Sequence, residues 1–100
     1  MIAKILISRH FKKGKRKDIF ALLKRFRSTA LNQPGYISGE TLTEDNDPQR
    51  MLVITTWEDM ESWDNWKESN ERKEFEAMLQ LFQEGPTEYK RYLLGASLLE

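Results

Sequence analysis

Few side chains in this chain are suited to moving protons or charge, and several are suited to enclosing an apolar ligand. His10 is the only imidazole, and its unperturbed pKa near 6.5 makes it a candidate acid–base group near neutral pH. Arg9 beside it is a candidate to steady an oxyanion, and Tyr36 and Tyr92 add polar hydroxyls. Trp63 and Trp66 stand one helical turn apart. With Phe75, Met78 and Tyr92 they are candidate walls for a flat apolar molecule, although aromatics at helical spacing also read as ordinary core. His10, next to a basic turn, also reads as a solvated or interfacial histidine.

Other chemistries are excluded by composition. With no cysteine there is no thiolate nucleophile, sulfur metal site or disulfide, and one histidine cannot form a two-histidine metal site. The five glycines are scattered and no phosphate-binding G-x-x-x-x-G-K occurs. Lys12, Lys13, Lys15, Arg16 and Lys17 precede a helical pattern, where a cation cluster reads as a solvated face as readily as an anion site.

These residues must be positioned by a small fold. One hundred residues, 39% of them apolar, predict one domain over 1–100 with one core. Sixteen basic against sixteen acidic groups give no bulk electrostatic case for nucleic acid or anionic membrane. Residues 1–50 carry 11 basic and 5 acidic groups and residues 51–100 the reverse, so the halves are expected to pack together. No apolar run approaches the ~20 residues of a membrane span, and no leader pattern is apparent, so a cytoplasmic location is expected.

Met1–Phe11 reads as a strand whose greasier face holds Ala3, Ile5, Ile7 and Phe11. Ile19, Leu22, Leu23, Phe26 and Ala30 mark a helix over 16–31, stopped by Pro34 and Gly35. Strands are predicted over 36–42, 51–57 and 88–94, with a loop or hairpin connection over 43–50. A short helix carries Met60, Trp63 and Trp66; after a break near Ser69 and Asn70, a second carries Phe75, Met78, Leu79 and Phe82. The order β-α-β-β-α-α-β predicts an α+β, ferredoxin-like split βαβ with an antiparallel sheet. The second sheet face and the tail Leu93, Leu94, Ala96, Leu98 and Leu99 need cover, which predicts a homodimer.

Within that order, Pro34-Gly35-Tyr36 followed by Gly39-Glu40-Thr41-Leu42, the Lys13-Gly14 turn, and Trp57 followed by Trp63, Trp66 and Ser69 resemble the antibiotic biosynthesis monooxygenase family. The likeness spans nearly the whole chain. It implies a dimeric α+β barrel, and its oxygenase members imply a cofactor-independent monooxygenase acting on an aromatic or quinol-like small molecule. On that implication His10, Arg9 and Tyr92 are the catalytic candidates, Trp63, Trp66, Phe75, Met78 and Tyr36 the substrate-binding ones, and no cofactor, metal or nucleic acid is called for. A non-catalytic small-molecule or haem-binding dimeric module is the alternative. The family's haem-degrading branch has an Asn where this chain has Ile7 and a Trp where it has Trp66. That branch's proximal His falls within 75–79, which here contains no histidine, so haem degradation is not expected.

Overall fold

The computed structural model describes residues 1–95, which leaves Ala96, Leu98 and Leu99 of the apolar tail outside the described residues. Seven elements follow in order: β1 (Ala3–His10), α1 (Arg16–Ala30), β2 (Tyr36–Glu44), β3 (Asp47–Trp57), α2 (Met60–Lys67), α3 (Asn70–Gln80) and β4 (Glu88–Leu93). This is the predicted α+β, ferredoxin-like order. The sheet runs β2-β3-β1-β4 and every neighbouring pair is antiparallel. Among the described residues no helix is long and apolar enough to cross a membrane.

The strand alternation of β1 decides which face is core. Ala3, Ile5, Ile7 and Arg9 are buried, and Phe11 continues the same parity through an isolated bridge to Gln83. Against this face lie Ile19, Leu22 and Phe26 of α1, Trp63 and Trp66 of α2, and Phe75 and Leu79 of α3. Burying such side chains contributes roughly 1.5–3 kcal/mol each, which outweighs the modest helix propensity of the short, aromatic α2. The break between the two later helices has a local cause. Ser69 caps α3 by accepting from Arg72 N at 3.1 Å while its own hydroxyl donates to Trp66 O at 2.7 Å.

The 43–50 run is more ordered than a loop. β2 continues to Glu44 and β3 starts at Asp47, leaving Asp45 and Asn46 as the turn. Asp47 Oδ1 accepts from Gln49 N at 3.2 Å, and the register jumps from Thr43 opposite Met51 to Glu44 opposite Asp47, so Pro48 lies in a bulge of the interior strand β3, where no ladder hydrogen bond is asked of it. At the other end of β2 the register jumps between Tyr36, opposite Trp57, and Ser38, opposite Thr56. This bulge places one extra residue in β2, so Tyr36 shares a face with Gly39 and Thr41 instead of with Ser38 and Glu40.

Candidate functional site

That shared face, with β3, forms one wall of a cavity of about 350 Å³ between the sheet and the helices. The strands supply Ile7, Tyr36, Gly39, Met51, Val53 and Trp57, and the helices supply Phe20, Phe26, Trp63 and Trp66. All three tryptophans of the chain line it. They belong to two aromatic groups: in one, Tyr36 meets Trp57 edge-on at 5.3 Å between centroids and Trp57 lies 5.9 Å from Trp63; in the other, Trp66 meets Phe26 edge-on at 6.1 Å. These separations fall in the range aromatic pairs prefer. Tyr36 needs the missing side chain at Gly39, because a Cβ there would collide with its hydroxyl. Burial pushes the Tyr36 phenol above its usual pKa, and the charge of Arg27 partly offsets this.

Of the three guanidiniums that line the cavity, Arg9 and Arg72 are buried, with side chains 3% exposed, and Arg27 is exposed. Arg9 donates from Nη1 and Nη2 to the two oxygens of Glu76, each at 2.7 Å, and from Nη1 to Gln83 Oε1 and Thr87 Oγ1 at 3.0 Å. Arg72 donates to the Tyr89 hydroxyl at 3.0 Å and approaches Glu76 at 3.7 Å. Burial pushes the Glu76 carboxyl up, but the bonds and charge of Arg9, the Thr87 hydroxyl and the charge of Arg72 outweigh it and hold it at about 2. Burial raises the Tyr89 phenol, with Arg72 acting in the opposite direction.

One carboxylate thus serves two buried cations. The cations also sit on ring faces: Arg72 is 5.0 Å from Trp63, 5.3 Å from Tyr89 and 5.4 Å from Phe26, and Arg9 is 5.7 Å from Phe26. Arg9 Nε, Arg72 Nε and Trp63 Nε1 are buried without an acceptor among the described residues. The wall is rich in donors, and the described residues that line it include neither a carboxylate nor an imidazole.

The structure gathers some of the predicted site residues and separates others. Arg9, Tyr36, Trp63 and Trp66 line the cavity; His10, Tyr92, Phe75 and Met78 do not. His10 has the opposite parity to Arg9 on β1, opposite Arg50, with its nitrogens 3.7 Å from Asp47 and 3.7 Å from Glu84. Tyr92 pairs with Lys4 and is half exposed on the sheet's outer face. Phe75 stacks behind Phe26 at 4.8 Å, and Met78 sits at the flank of α3, 36% exposed. Trp57, Arg72 and Glu76 were not among the predicted site residues. Arg72, Phe75, Glu76 and Leu79 follow i, i+3, i+4, i+7, so two charged groups on an apolar helical stripe were the available signal. Among the described residues no cluster of three or more His, Asp or Glu side chains is placed to hold a metal ion.

Residues 2–78 match the family model described as antibiotic biosynthesis monooxygenase. Similar solved structures include a conserved protein from Methanosarcina mazei Go1, with 22% identity, a TM-score of 0.85, and coverage of 92% of this chain and 91% of that one. Another is SnoaB, a cofactor-independent oxygenase from Streptomyces nogalater, with 15% identity, a TM-score of 0.80, and full coverage of both chains. No curated protein sequence matches this chain.

Proposed function

We propose that this chain, which belongs to the antibiotic biosynthesis monooxygenase family, is a cofactor-independent monooxygenase acting on an aromatic or quinol-like small molecule in the tryptophan-walled cavity. The observation that carries the reading is the cavity itself: about 350 Å³ of apolar space faced by three indoles, with polar groups that can donate to an oxyanion. Its size and character suit a small aromatic ligand. The same fold in SnoaB, described as a cofactor-independent oxygenase, agrees with it.

The chemistry asks little of the protein. An anthrone-type substrate has a ring CH2 whose proton passes to water, since the described residues lining the cavity include no carboxylate or imidazole; this leaves a delocalised anion, which is the reductant for dioxygen. A C–O bond forms, the O–O bond breaks, and the CH2 becomes a carbonyl while the second oxygen leaves as water. All four electrons come from the substrate carbon. In this reading Trp63 and Trp66 stack on the ring system and Tyr36 donates to its oxygen. Arg9 and Arg72, which line the cavity beside Phe26, supply positive charge that favours the anion over the neutral form. Arg9 acts through its field, because both terminal nitrogens are engaged by Glu76 and its neighbours. The wall residues also exclude water, which strengthens those interactions.

The reading includes a homodimer. On the outer sheet face Leu6 lies opposite Ile54, Ile54 opposite Glu40, and Leu42 opposite Leu52. That apolar stripe and the half-exposed Tyr92 support a second copy as its cover.

The test is oxygen uptake with anthrones and hydroxylated naphthalenes and no added cofactor, run under ¹⁸O₂. Catalysed consumption of one dioxygen per quinone, with one labelled oxygen in the product, is expected. Uptake no faster than spontaneous autoxidation across the panel would leave a binding module instead of an enzyme.

A further inference from the structure

The α1 edge of the cavity carries charge that the proposed oxidation does not use. Lys24 and Arg27 both line the cavity, sit one turn apart on α1, and are exposed. They share that flank with Phe20 and Leu23, which also face the cavity, so the helix presents two apolar contacts and two cations to one opening. Among the described residues neither Lys24 nor Arg27 lies within ion-pairing distance of a carboxylate, whereas Lys73 and Arg91, also exposed, are paired with Glu68 and Asp64. The floor adds Arg9 and Arg72. The wall therefore holds four cations, and the one carboxylate paired with any of them among the described residues, Glu76, is shared by Arg9 and Arg72.

An apolar slot with an unneutralised cationic rim fits one class of ligand better than any other. A polycycle without a fixed charge leaves Lys24 and Arg27 without a counter-ion, and a cation would be repelled. From this rim we infer that the natural ligand is an aromatic acid, with its rings among the tryptophans and a carboxylate at the opening between Lys24 and Arg27. The inference rests on the cavity reading above and adds the substrate's fixed charge. It makes Lys24 and Arg27 specificity-determining residues outside the reacting centre. The charge of Arg27 already reaches the Tyr36 hydroxyl, so a carboxylate at the rim and a ring oxygen near Tyr36 fall under the same field.

The test is calorimetric binding of 2-naphthoate and its neutral isostere 2-naphthamide to the full chain, independent of turnover. Exposed pairs of this kind are individually weak and screened by salt. The acid is expected to bind about fivefold more tightly than the amide at low ionic strength. The gap should close in ~0.5 M salt, where the Debye length falls to a few ångströms, and in the Lys24→Gln, Arg27→Gln double variant. Because both side chains line the cavity, the readout is the ratio of the two affinities: the variant should lose more affinity for the acid than for the amide. Equal affinity for acid and amide would overturn the inference while leaving the cavity reading intact, as would a gap that survives both substitutions. Saturable binding of neither compound would overturn both.

Discussion

Glu76→Gln removes the single negative charge that two buried guanidiniums share. The bidentate contact to Arg9 is 2.7 Å on both sides, Arg72 lies 3.7 Å away, and the carboxylate side chain is 18% exposed. Breaking a buried pair by removing one partner typically costs about 3–5 kcal/mol. The glutamine oxygen can still accept one bond and the site is not fully dry, so about 3 kcal/mol is expected. The carboxyl pKa gives a separate route to the same size. Lowering from 4.5 to about 2 corresponds to roughly 2–3 kcal/mol after discounting for partial exposure. Because the folded pKa is depressed, this stabilisation is fully present above the unfolded value and is lost as pH falls from about 5 toward 2. Urea unfolding at pH 7 should show the loss as a lower midpoint, and thermal unfolding should show Tm lowered by roughly 10–20 °C for a chain of this size. The difference between parent and variant should shrink steadily below pH 5. A variant within 1 kcal/mol of the parent at pH 7, or a difference that stays constant down to pH 2.5, would refute the network's role.

Two further outcomes follow from the geometry. Gly39→Ala should weaken binding of hydroxylated naphthalenes several-fold by displacing the Tyr36 hydroxyl, and calorimetry checks it; unchanged affinity would remove Tyr36 from the site. Sedimentation equilibrium at micromolar concentration should give about twice the monomer mass, and Leu6→Asp should lower it by placing an unpaired charge in the covered face; a parent that is monomeric would contradict the dimer.

Element order was legible in the sequence because each element carries its own period: alternation in 3–11, and 3.6-residue spacing in 16–31 and again after Ser69. The site was legible in part. Trp63 and Trp66 sit on a helix short enough that one face must meet the sheet, and they line the cavity. Arg9 was singled out for its chemistry, but its parity with Ala3, Ile5, Ile7 and Phe11 already fixed it as inward. The same parity places His10 outward, beside Arg50, and away from the cavity. Tyr92 fails to reach the cavity for the matching reason: its register opposite Lys4 is set by pairing with β1. Two features lay beyond local reading. The bulge that turns Tyr36 inward shows only in the pairing of β2 with β3. The Arg9–Glu76 pair joins residues 67 positions apart, and only the packing of α3 over β1 brings them together.

The central claim is that the tryptophan-walled cavity is where an aromatic ligand binds. Because all three indoles line it, hydroxylated naphthalenes or anthrones should quench the intrinsic emission saturably after inner-filter correction. Trp66→Phe should remove part of the response. Val53→Phe is the sharper perturbation. It extends a wall residue into open space, so the variant should melt within a few degrees of the parent and lose saturable quenching. Saturable quenching that persists in Val53→Phe with unchanged affinity would place the ligand elsewhere and contradict the account.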